Sequence, residues 1–199
     1  MGCDTHETNA RKTDAEVLAP WQSYGDPPPP GGMGPLCPGC GFSRWIELGG
    51  GPAIDVYHPN LDSRFLPGVD IVFDLEDGPL PFHDDHADRI KMIHVLNHLS
   101  AVKGEALLRD CLRVLQPGGS LYIMVTVVQF ALTRIFADGW RDCWTSMIWG
   151  TRGDTYHDDF HKWGFSPESL GKLLLTCGFR EVRERGRFNY WDYQVEAFK

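Results

Sequence analysis

The 199-residue chain predicts an α/β fold: a doubly wound, mostly parallel, Rossmann-like sheet with a C-terminal antiparallel strand pair. Three observations predict it. Apolar runs of strand length alternate with segments of helical spacing, the pattern of parallel strands joined by helices. The first run, "RWIEL", ends directly in three glycines, Gly49, Gly50 and Gly51. The last two runs, "REVRER" and "YQVEAFK", read as a terminal pair of strands.

Taken in order, residues 1–36 read as a flexible N-terminal arm and 37–199 as the folded domain. "YGDPPPPGGMGP" sets four consecutive prolines among glycines, which neither helix nor sheet tolerates. "RWIEL" then reads as a fully buried strand. "VDIVFDL" (69–75) and "ADRIKMIHVL" (87–96) supply two more apolar runs. "EALLRDCLRVL" places Leu107, Leu108, Cys111, Leu112 and Leu115 at helical spacing above a polar face. Pro117 and Gly118 stop that helix, and "SLYIMVTVV" reads as a central strand. In "SPESLGKLLLTCGF", Ser166 is the N-cap, Pro167 fits the first turn and Gly178 closes the helix.

The formal charge of −8 argues against general binding of phosphate backbones, so bulk nucleic acid is a poor partner. No apolar run approaches the roughly 20 residues of a membrane span. The opening "MGCDTHETNARKTDAE" is polar, and His6 stands where a myristoylation signal needs Ser or Thr. Six scattered cysteines suggest no disulfide framework, so a reducing cytoplasm is expected. A homo-oligomer is left open.

In wound sheets, ligands sit at the carboxyl ends of the strands, where the strand order reverses. Glycines directly after the first strand let the backbone turn sharply and approach a ligand. Asp62, 13 positions after Gly49, is placed to accept both hydroxyls of a ribose, with Asp55 as its rival. Glu47 lies inside the first strand, where a charge needs a partner: a ligand ammonium or the amides of the glycine loop. Asp74 could accept from a purine amine. Ile54 stands where a nicotinamide-binding G-x-G-x-x-G would place its last glycine, and no G-x-x-x-x-G-K-[ST] occurs.

"IELGGGP", "NLD", "VDIVFDLEDGPLPFHDD", "HVLNHL", "RVLQPGG" and "FHKWGFSPESLGKLLLTCGF" follow one another in an order that resembles class I S-adenosylmethionine-dependent methyltransferases, in particular their small type-11-like group. The resemblance covers about residues 44–199. It implies S-adenosyl-L-methionine as cofactor. Glu47, Gly49, Gly50 and Gly51 would hold its methionine part, Asp62 its ribose, and Asp74 and Leu75 its adenine. His94 would lie beside the sulfonium and the methyl acceptor, which the resemblance leaves as a small molecule or a polymer-attached group. Asn97 stands where the group usually has Glu, and Gln116 where it usually has Lys. The Asn97 departure and the long arm motivate an alternative, a cofactor-binding scaffold without catalysis.

"WGTRGDTYHDDFHKWGF" (149–165) reads as an insertion over the active site, with His157 and His161 as candidate bases beside His94. Their spacing of four also suits a metal on a helix, and a solvated loop is the bland alternative. No metal site is assigned. "CPGC" (Cys37, Cys40) has ligand spacing without a second pair, so two free thiols in a turn are expected, with zinc shared with distant histidines as the alternative. "HDDHADR" (83–89) has the same His/Asp character and resembles the group's turn after the third strand, with a metal site as the lesser alternative. Trp140, Trp144 and Trp149 have the spacing of one helical face, expected to pack on the sheet, to form a subunit contact or to wall a substrate pocket.

Overall fold

The computed structural model describes residues 34–52, 57–150, 160–187 and 191–199. Seven strands form one sheet: β1 (Trp45–Leu48), β2 (Asn60–Asp62), β3 (Ile71–Val72), β4 (Ala87–Ile93), β5 (Leu115–Thr126), β6 (Glu181–Arg187) and β7 (Asp192–Phe198). Their order is β3-β2-β1-β4-β5-β7-β6. The first five run parallel, and β7 lies antiparallel between β5 and β6. The expected mixed α/β sheet with its antiparallel end is therefore present.

The strand order reverses between β1 and β4. The chain leaves β1 for β2 and β3 on one side, then returns to place β4 on the other. In folds of this topology ligands bind at the carboxyl ends of the strands at such a reversal.

Among the described residues, four α-helices join the strands: α1 (Ala101–Val114), α2 (Val128–Asp138), α3 (Asp142–Trp149) and α4 (Pro167–Cys177). Ser100 caps α1 by accepting from the Lys103 amide at 3.4 Å. On α4, Ser166 and Ser169 cap reciprocally, Pro167 opens the first turn, and Gly178 ends it at φ 113°. The alternation within β1 sends Ile46 and Leu48 into the core, where they meet Leu107, Leu108 and Cys111 of α1 and Leu170 and Leu174 of α4. Each such fully buried aliphatic side chain contributes about 1.5–3 kcal/mol.

Three local expectations differ from the structure. β2 is three residues long, too short for periodicity to register, and between Val69 and Leu75 only Ile71–Val72 pair as strand. "QPGG" ends α1 but continues into β5, with Gly118 at φ 83°. The tryptophans do not share one helix, because Gly139 at φ 78° breaks α2 from α3. Trp144 is buried, while exposed Trp140 and Trp149 stack at 6.4 Å.

The described fold reaches back to Pro35, whose carbonyl accepts from the Arg44 amide at 2.7 Å, and Leu36 bridges Ser43. No helix among the described residues is long and apolar enough to cross a membrane.

Candidate functional site

The glycine elbow is held from beneath by β2. The Gly49 amide donates to the Leu61 carbonyl at 2.6 Å. The Gly50 amide donates to Asn60 Oδ1 at 3.1 Å, and the buried Asn60 Nδ2 donates to the carbonyls of Gly51 and Gly68, both at 2.9 Å. Gly49 and Gly51 stand at φ 68° and 58°, in the left-handed region. A Cβ at Gly49 would lie 2.4 Å from Val95 Cγ2, just past the end of β4. Glycine is thus needed here for two reasons: the backbone turns left-handed, and it passes against the neighbouring strand end.

Asp62 ends β2 beside this elbow and is 4% exposed. Its Oδ1 accepts from the Arg64 amide at 3.0 Å and from Arg64 Nε at 2.9 Å. Its Oδ2 accepts from Arg64 Nη2 and the Gly51 amide, both at 3.1 Å. Burial pushes the carboxyl up, but the Arg64 guanidinium and the two amides outweigh it and hold the group below the usual carboxylate range. Four donors fill the roughly four lone-pair sites of a carboxylate. A ribose diol can therefore reach Asp62 only if the Arg64 side chain, 43% exposed, swings into solvent.

Glu47 is fully enclosed. Strand register sets it opposite Lys91, and Lys91 Nζ lies 2.8 Å from Oε2. The Tyr57 amide donates to the same oxygen at 3.1 Å, and the Lys91 ammonium also sits over the Tyr57 ring at 4.5 Å. Burial raises the Glu47 pKa, opposed by Lys91. The structure thus supplies its partner from β4. Asp74 is exposed just beyond β3 and accepts from the Glu76 amide at 2.9 Å, while Leu75 beside it is buried. Asp55, the rival for the ribose role, lies outside the described residues.

His94 follows β4 at φ 55°, an uncommon conformation for a non-glycine residue, and its amide donates to the Met124 carbonyl at 2.9 Å. Its Nε2 lies 3.6 Å from Asp192 Oδ1, within ion-pair reach but longer than a hydrogen bond. Asp192, buried at the start of β7, also lines a cavity of about 220 Å³ with Val127, Phe130, Trp191 and Tyr193. Sequence reasoning missed Asp192, because its approach to His94 spans almost a hundred residues.

His161 packs elsewhere along the same edge. Its ring stands edge-on to His98 at 5.0 Å, and its Nδ1 donates to the Met147 carbonyl at 3.1 Å. His157 lies outside the described residues. The segment carrying His161 is pinned by Asn97, whose carbonyl accepts from the amides of Lys162 and Trp163 at 2.8 and 3.1 Å. The 1% exposed Asn97 side chain donates Nδ2 to the Trp163 carbonyl at 3.1 Å and to that of Thr126 at 3.5 Å. This explains the departure from Glu: the position needs an N–H donor toward two carbonyls, which an ionised carboxylate lacks.

Glycine elbow, Asp62, Asp74, His94 and Asp192 thus line one edge of the sheet, around the point where strand order reverses. Residues 36–123 match the sequence family described as "Methyltransferase domain". No curated protein matches the chain. Among solved structures, the chain is similar to a SAM-dependent methyltransferase of Thermotoga maritima, described as a possible histamine N-methyltransferase, at 17% identity, TM-score 0.53, covering 78% of this chain and 82% of that one. A SAM-dependent methyltransferase of Archaeoglobus fulgidus matches at 15% identity and TM-score 0.53 over 92% and 91% of the two chains. Human N-acetylserotonin methyltransferase, solved with SAM, matches at 16% identity and TM-score 0.51 over 78% of this chain and 47% of that one. At such identities the structural likeness is one of fold. Residues 36–123 thus match a methyltransferase domain family, on a fold similar to that of S-adenosylmethionine-dependent methyltransferases.

Proposed function

We propose that the protein transfers the methyl group of S-adenosyl-L-methionine to an O or N atom of a small-molecule or polymer-attached acceptor. The observation that carries this reading is the convergence of a left-handed glycine elbow, a buried carboxylate and a histidine at the reversal point of the sheet. The residues fit the cofactor: Gly49 and Gly51 let the backbone make its left-handed turn at the strand end, and Asp62 matches a diol once Arg64 withdraws. Gly49–Gly51 would hold the methionine part, Asp62 the ribose, and Asp74 with Leu75 the adenine. Glu47, already neutralised by Lys91, supports the elbow from within the strand rather than reaching out.

When bound, the cofactor supplies an electrophilic methyl on a sulfonium, and in-line displacement needs alignment more than acid catalysis. His94 takes the proton that an O–H or N–H acceptor must lose, and Asp192 stabilises the resulting imidazolium. The cavity beside Asp192 offers aromatic walls to the acceptor. His161, bonded through Nδ1 to Met147, and His157 are candidate bases from the covering segment. Isothermal titration with S-adenosyl-L-methionine, paired with a methyl-release assay, tests the reading. His94→Asn keeps a side chain tolerated at φ 55° and is expected to lower turnover at least tenfold while leaving cofactor affinity within about twofold. Equal losses in both would remove His94 from the base role.

A second reading, a cofactor-binding scaffold subunit without turnover, draws on the full occupation of Asp62 by Arg64 and the Gly51 amide. Binding without turnover across a broad acceptor panel would select it.

A further inference from the structure

Two thiols and two imidazoles meet on the opposite edge of the sheet from the glycine elbow. Cys37 and Cys40 belong to the hairpin that leads into β1, and His83 and His86 to the loop that leads into β4. Their ligand atoms all lie within 4.8 Å of one another. Cys37 Sγ is 3.3 Å from His83 Nε2, Cys40 Sγ is 3.6 Å from His86 Nδ1, and those two nitrogens are 3.4 Å apart. A tetrahedral zinc ion, with Zn–S about 2.3 Å and Zn–N about 2.0–2.1 Å, holds its ligand atoms roughly 3.4–3.8 Å apart. Three of the six separations, 3.3, 3.4 and 3.6 Å, are close to that spacing, and the rest stay within 4.8 Å. We propose that Cys37, Cys40, His83 and His86 form a tetrahedral zinc site that staples the entry to β1 onto the entry to β4.

The surroundings are built for a cation. Each imidazole is oriented by a carbonyl behind it: His83 Nδ1 donates to the Asp84 carbonyl at 2.7 Å, and His86 Nε2 to the Ser43 carbonyl at 2.9 Å. A carbonyl only accepts, so the remaining nitrogens, His83 Nε2 and His86 Nδ1, both turn lone pairs toward the thiols. Such carbonyl partners are the usual outer shell of zinc-bound histidine. The 1% exposed His86 ring is fixed further by stacking on Phe82 at 5.0 Å. The two carboxylates between the histidines turn away: Asp84 pairs with Arg113 at 2.8 Å and Asp85 with Lys199 at 2.7 Å.

The thiol side is equally ordered. The Cys37 amide donates to the Phe42 carbonyl at 2.7 Å and the Gly41 amide to the Cys37 carbonyl at 2.8 Å. Gly41 makes the required left-handed turn at φ 77°. With four protein ligands and no open position, the site is structural rather than catalytic. Its softness, two S and two N, selects zinc over magnesium or calcium. None of this depends on the cofactor reading, and neither proposal falls with the other.

The test uses the full chain, purified under reducing conditions. Metal analysis is expected to find about one zinc per chain, and apo-protein reloaded with Co²⁺ is expected to show the intense visible bands of a tetrahedral thiolate site. Cys40→Ser and His83→Gln, both at exposed positions, should each weaken zinc binding at least tenfold, whereas His98→Gln should bind as wild type. Chelation should lower the melting temperature of wild type and not of Cys40→Ser. The proposal is overturned if reloaded wild-type chain holds no stoichiometric zinc, if the cobalt spectrum is weak and octahedral, if both ligand variants bind as wild type, or if mass spectrometry finds Cys37 and Cys40 joined as a disulfide.

Discussion

Removing Arg64 is expected to tighten cofactor binding, although removing its partner Asp62 loosens it. Arg64 supplies three of the four hydrogen bonds that fill the Asp62 carboxylate, and two of those come from its guanidinium. Those two must break before a ribose can use the same oxygens. The pair joins a buried carboxylate to a guanidinium 43% exposed, so solvent screens it and its strength is about 1 kcal/mol. Arg64→Ala removes that competition, which corresponds to roughly fivefold higher affinity for S-adenosyl-L-methionine. Asp62→Ala instead deletes the acceptor. Each hydrogen bond to a charged group contributes about 1.5–3 kcal/mol, so the affinity should fall at least about tenfold. Isothermal titration at fixed pH and salt reads both variants, with thermal melts to confirm that each is folded. If Arg64→Ala weakens binding as much as Asp62→Ala does, Arg64 is itself a ligand group and the ribose assignment fails. Unchanged affinity in Asp62→Ala sinks the cofactor mapping altogether.

Lys91→Met leaves Glu47, 2% exposed, without its cation, at a cost of about 3–5 kcal/mol. Because burial raises the folded pKa of Glu47, its contribution is fully present below the unfolded pKa and is lost as pH rises through the folded value. The variant should therefore approach wild type at acid pH and diverge above it, and urea titrations giving a pH-independent difference would refute this. Gly49→Ala places a Cβ at φ 68° against Val95, costing about 1–2 kcal/mol for the backbone alone, and a companion Val95→Ala should recover only the steric part. Asn97→Asp turns a carboxylate toward the Trp163 and Thr126 carbonyls; a loss of about 1–3 kcal/mol by chemical denaturation is expected, and a neutral result would remove the clamp.

What the sequence determined by itself is what neighbours along the chain dictate. Ser166, Pro167 and Gly178 fixed the ends of α4 through caps that need only adjacent residues. Three glycines after an apolar run announced the elbow, and the motif order announced the resemblance that the match of residues 36–123 to a methyltransferase domain supports. Contacts that close over long loops were decided only by the tertiary structure. Cys37 and Cys40 meet His83 and His86 across 46 residues each, a pairing that no spacing rule encodes. The approach of Asp192 to His94, the pairing of Lys91 with Glu47 and the role of Asn97 as a donor likewise depend on strand order and register. Even Arg64, two residues from Asp62, reads as an ordinary surface charge until the fold buries that carboxylate and leaves it as the nearest cation. Periodicity and caps are local energies, whereas these partners exist only once the sheet has set which strand ends lie side by side.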